Sequence, residues 1–142
     1  MKNYMPGFII SLIFFIILAI VDSHVYSNVM SLNVLVHLLV LHVIFYKHLV
    51  TDKKRLPYLI FIFIFIISVF FSLPKLTHAQ AKEKGLDNHK INIVETSTIL
   101  LVDDWNPFAS DGAYFFKGYN SKSEEISIIV IPNTGEVIVK NQ

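Results

Sequence analysis

Hydrophobic and polar positions split the chain into two halves of different character. Three runs free of Lys, Arg, Asp and Glu fill the first 74 residues, at 5–21, 29–46 and 56–73. Each is apolar on all sides, without the polar stripe of a soluble surface helix. At a rise of about 1.5 Å per residue, a run of this length reaches about 26 Å, near the lower limit for crossing the hydrocarbon core of a bilayer. The pattern predicts three transmembrane helices, with little length spare for tilt.

After Pro74 the pattern changes. Residues 75–85 read as a short polar helix or tether ended by Gly85. Runs rich in β-branched and aromatic residues follow and predict strands at 90–94, 97–102, 113–119, 125–131 and 136–140. Only Glu95 and Thr96 separate the first two, which can form one long bent strand. Pro132-Asn133-Thr134-Gly135 supplies a tight turn between the last two. The fold class expected is a membrane α-helical domain over 1–74 joined to a small extracytoplasmic α+β domain over 75–142, built on an antiparallel β-meander.

Charge sets the expected orientation. The second connection holds Lys47, Lys53, Lys54 and Arg55, whereas the first, 22–28, holds no Lys or Arg. Basic loops stay in the cytoplasm. The amino terminus, with Lys2, is therefore expected inside, and the tail after Pro74 outside. Lys2 and a loose cleavage site at Val25-Tyr26-Ser27 also suit a signal peptide, but the first run is longer than most signal-peptide cores and is read as a retained helix.

Composition narrows the chemistry. The 142 residues are 54% hydrophobic and 16% charged, with a net charge of +1 and no Cys. Disulfides, thiol nucleophiles and Cys-ligated zinc or iron–sulfur clusters are excluded. No H-E-x-x-H, Walker A, dinucleotide or nucleophile-elbow motif occurs, so neither enzymatic activity nor a cofactor is expected. Asp103, Asp104 and Asp111 lack the spacing of a calcium loop and read as a solvated acidic turn. One basic loop is too little for nucleic acid.

The second run carries the main polar candidates: Ser31, Asn33, His37 and His42, with Tyr46 and His48 at its end. Polar groups at membrane depth require partners. Asn33 and His37 share a helix face, whereas His37 and His42 differ by about 140° around the axis and about 7.5 Å along it. Asn33 and His37 are expected to hydrogen-bond to one neighbouring helix and His42 to the other. Docking of a partner helix, or proton, electron or metal transfer through His37 and His42, are the other readings. In the tail, Trp105 either plugs the small core or rests with Phe108 at the headgroup level.

A domain near 65 residues without disulfides is marginal, and this one is expected to lean on the outer helix ends, a second copy or a partner. The stretch 114–140, with Ile129-Val130-Ile131 running into Pro132-Asn133-Thr134-Gly135-Glu136-Val137, resembles the closing hairpin of PepSY and related small bacterial envelope domains. That resemblance implies a non-catalytic domain outside the membrane that binds or restrains another envelope protein, and it transfers no site residues. The expectation is a multi-pass protein of the bacterial cell membrane. It acts as an accessory or regulatory subunit, with an immunity-type role as a variant, and its partners are the lipid bilayer and another membrane or envelope protein, or a second copy.

Overall fold

The computed structural model describes residues 4–50, 53–87, 91–101 and 105–141. Lys2, His89, Asp103, Asp104 and the strand ends expected at Lys90 and Val102 lie outside them. Three helices come first: α1 (Met5–Val25), α2 (Asn33–Phe45), which continues as a π-helical turn over Tyr46–Val50, and α3 (Arg55–Ser72). All three are long and apolar enough to cross a membrane. Most of their large side chains are exposed, among them Phe8, Ile13, Ile60, Phe63 and Phe70, as helices that meet lipid require.

The buried positions fall at intervals of three and four residues, which puts them on one stripe of each helix. They are Leu35, Leu39 and His42 on α2 and Phe61, Phe65, Ser68 and Ser72 on α3. On α1 they are Gly7, Ser11, Leu18 and Asp22. The Gly and Ser members let backbones come close where lipid gives no hydrophobic drive for association.

The first connection differs from the sequence expectation. α1 runs on to Val25 and α2 starts at Asn33, so Val29 to Leu32 lie in the connection and not in the second helix. Asp22 is the cause. Its carboxylate Oδ1 accepts the Met30 N–H at 2.9 Å, and its carbonyl accepts the N–H groups of Tyr26 and Asn28. Ser27 and Asn28 turn the chain with φ of 51° and 62°, the left-handed conformation that ends helices.

The rest of the chain is α4 (His78–Asp87) and four strands, β1 (Asn92–Leu100), β2 (Gly112–Tyr119), β3 (Glu125–Val130) and β4 (Val137–Asn141). The strands form one antiparallel meander in chain order. The first two expected strands are one, with a bulge between Ile93 and Glu95. α4 starts later than expected because Thr77 caps it: Thr77 Oγ1 accepts the Gln80 N–H while Gln80 Oε1 accepts the Thr77 N–H, a reciprocal capping box. Gly85 does not end α4 but lies within it, facing Phe116 and Ile128. Gly135 closes the last turn at φ 72°, its N–H donating to Ile131 O.

The core of this half gathers Ala81 of α4 and Ile91, Tyr114, Phe116, Ile128 and Val130 on one face of the sheet. Its seventh buried member is Val29, from the α1–α2 connection. Thr98 Oγ1 donates to Ser27 O and the Asp111 N–H to Val29 O, tying that connection to β1 and to the start of β2. Tyr26 touches this cluster and also a second one formed by Leu18, Met30, Leu35, Leu39 and Phe65 between the helices. The small sheet thus completes its core with a loop from the helical half.

Candidate functional site

Two places concentrate polar or exposed groups that the fold alone does not require. The first is inside the helical half. His42 is buried at the point where α2 meets both neighbours. Ser11 Oγ of α1 donates its single proton to Leu39 O at 3.1 Å, so His42 Nδ1, 2.8 Å from the same oxygen, is the donor in that contact. His42 Nε2 then accepts from the Tyr58 hydroxyl of α3 at 2.8 Å. One imidazole links three helices in a hydrogen-bonded chain, and both of its ring nitrogens have a partner.

Aromatic rings close around it. Phe61 stacks on the imidazole at 6.1 Å, and Tyr46 and Tyr58 approach at 6.0 and 5.8 Å. Gly7 makes the crossing possible: a Cβ there would meet Tyr46 Cβ at 2.8 Å. At the same end Lys47 Nζ donates to the Tyr4 hydroxyl at 2.9 Å and sits 4.0 Å from that ring's centroid. Beside the chain, a crevice of about 420 Å³ opens between α1 and α3. Its walls are apolar, including Phe14, Leu39, Ile62 and Phe65, with His42 and Tyr58 as the polar lining.

The other sequence candidates lie apart from this chain. His37 is exposed, and its Nδ1 donates to Asn33 O within the same helix; the Asn33 side chain is exposed at the helix start. The expected bonds from these two residues to a neighbouring helix do not form among the described residues, because His37 points away from the buried stripe. Ser31 belongs to the connection and donates to Pro107 O. His48 is exposed, as are Lys53, Lys54 and Arg55. Among the described residues, no three His, Cys, Asp or Glu side chains converge as a metal site would need.

The second place is the sheet. α4 covers the face bearing Phe116 and Ile128, while Phe115, Ile129 and Ile138 align across three strands on the opposite face. β1 is an edge strand of nine residues with no Lys or Pro, and Val94 and Leu100 are largely exposed along it. The other edge, β4, is shorter and carries Lys140. Trp105 is 100% exposed and does not plug the core, a role taken by Val29. Phe108 is half-buried, its ring 6.1 Å from Phe71 at the end of α3. Asp111 is exposed, with its backbone engaged by Val29 and Leu101.

Outside the three long apolar helices, the one described histidine with a shifted pKa is His78, the first residue of α4. Its ring lies 5.4 Å from Tyr114 and 5.6 Å from Phe116. Burial, and then the charge of Lys82, pull its pKa below the ordinary value. Burial pushes the Tyr114 phenol up, and its hydroxyl donates to Leu76 O at 3.1 Å.

No protein-family model matches the chain, and no significant match to a curated protein or to a solved structure is found.

Proposed function

We propose that this is a multi-pass protein of a bacterial cell membrane. Its amino terminus and basic loop lie in the cytoplasm and its sheet domain lies outside, where it serves as a non-catalytic accessory or regulatory subunit. The observation that carries the reading is β1: an edge strand of nine residues that pairs on one side only among the described residues, and whose stretch beyond the Ile93/Glu95 bulge carries no Lys, Pro or other charge. An extended segment of an envelope protein can add to such an edge, with main-chain hydrogen bonds for affinity and alternate side chains for selection. The half-covered face with Phe115, Ile129 and Ile138 widens the surface beside it. The order of a helix and then a meander is in keeping with the PepSY-like resemblance, and an immunity-type role is a variant of the same binding function. Lys47, Lys53, Lys54 and Arg55 lie at the helix ends away from the sheet, which supports the proposed sidedness.

The chain has no Cys, so a single cysteine placed at Ser97, or one at Ser121 as a control, is the only attachment site for a photo-crosslinker. A discrete adduct at Ser97 in intact cells, absent at Ser121, is expected. A chain that gives adducts at neither position and purifies alone from mild detergent overturns the proposal.

A second reading, proton passage through the membrane, draws on the Ser11–His42–Tyr58 chain. It requires His42→Leu to abolish function in a protein that still assembles. The accessory reading expects function to survive His37→Leu and His42→Leu and to be lost when residues 113–142 are deleted.

A further inference from the structure

The loop between β1 and β2 sits beside the end of α3. Phe108 meets Phe71 of the last turn of that helix, and Pro107 O accepts from Ser31, just ahead of α2. These two contacts fix the loop at the level where α2 begins and α3 ends. Phe70 and Phe71 are themselves 71% and 68% exposed, as parts of the apolar outer surface of α3. On the strand end and the loop segment that leads to Phe108, Leu100 is 82% exposed, Leu101 36% and Trp105 fully so. In water, a bare indole and an open leucine a few residues apart in the chain are a cost without return. At the boundary between lipid and water, the same side chains are stabilised, because the indole is apolar in body with one N–H to hydrogen-bond.

We propose that Leu100, Leu101, Trp105 and Phe108 enter the headgroup region of the leaflet on the sheet's side, so that the loop clamps the sheet to the lipid surface. The inference rests on the reading that the three helices span the membrane, since the anchor continues the lipid-facing surface of α3. Between Thr98 and Phe116 the sequence has three Asp and no Lys or Arg. The docking is therefore aromatic and aliphatic, needs no anionic lipid and is indifferent to salt.

Trp105 is the only Trp, so the fluorescence of the unmodified full-length protein reports this loop alone. In phosphatidylcholine nanodiscs its emission is expected to be shifted to the blue. It should lose intensity to phosphatidylcholine brominated near the glycerol end of the acyl chains, lose less to lipid brominated near the methyl end, and stay the same at high salt. Leu100→Ser should weaken the quenching. Water-like emission that neither label quenches, in a chain that incorporates into discs, overturns the anchor alone. Blue-shifted emission indifferent to both labels also overturns it, because protein and not lipid then covers the indole. Failure to incorporate overturns the spanning reading as well.

Discussion

The two halves of the molecule hold together by different physics. In the sheet half, apolar volume decides: Tyr114, Val130 and Val29 are wholly buried and supply the stabilisation. In the helical half most apolar side chains face outward, where lipid suits them as well as protein would. Association there falls to close approach at Gly7 and to the hydrogen bonds through His42. The same substitution type thus has opposite weight in the two halves.

Mutation should expose that contrast most sharply at Tyr114. Tyr114→Ala removes a fully buried ring and its bond to Leu76 O, a loss of about 3–5 kcal/mol. That is enough to unfold a domain near 65 residues, and protease should then digest the tail while the helices stay in the membrane. Phe63→Ala, an equally apolar change on an exposed helical position, should leave both halves resistant.

Val29→Ala tests whether the sheet borrows its core from the connection. The expected cost is about 2 kcal/mol, for methyls lost from a packed site. It should appear as faster proteolysis of the tail, although the substitution lies outside it. Unchanged proteolysis would mean that the sheet stands alone.

His42→Leu weakens the helical half without touching the sheet. Its hydrogen bonds are worth about 0.6–2 kcal/mol each at membrane depth, and Ser11 keeps its bond to Leu39 O. Unfolding in sodium dodecyl sulfate, followed by cross-linking of cysteine pairs placed on α1 and α3, should move to lower detergent, whereas tail proteolysis should not change. If the order of sensitivity reverses, the comparison fails.

The smallest effect is that of pH. His78 packs against Tyr114 and Phe116, and burial there, with the charge of Lys82, lowers its folded pKa below the ordinary value of 6.5. As pH falls through about 6.5 the unfolded tail takes up the proton before the folded one does, so stability is full above that value and declines from there toward the folded pKa. Tail proteolysis should quicken over that window, and His78→Phe should flatten the response.

Much of the scaffold was legible in the sequence, because both halves obey strong periodic rules. The first and third apolar runs and the last three strands lie close to where those rules put them, and the Pro-Asn-Thr-Gly turn required its glycine. The path of the first connection was not legible. Val29 and Met30 are as apolar as the run that follows, and hydropathy cannot say whether such residues enter a helix or the core of a distant sheet. Asp22 was the available signal, since a carboxylate in the last turn of an apolar helix needs a backbone donor. Thr77-His-Ala-Gln80 is a capping signature that the expectation of a helix over 75–85 leaves out, and it sets the start of α4 at His78. At the site, Ser11 and Tyr58 were visible as polar groups on the flanking helices. Their choice of His42 over His37 depends on the rotation of α2, and the narrow run of buried residues leaves almost no amphipathic signal for that rotation.

Threading Val29 into the sheet also orders biogenesis. Residues 26–31 leave the ribosome long before β2 and β3, so the segment that plugs the core is made while the strands it completes are still to come. Two long apolar helices, α2 and α3, separate that segment from the strands, so in a bilayer that both cross, plug and sheet share a side in either orientation, and only the loss of one crossing parts them. A sheet parted from that connection lacks one of the seven buried side chains of its core.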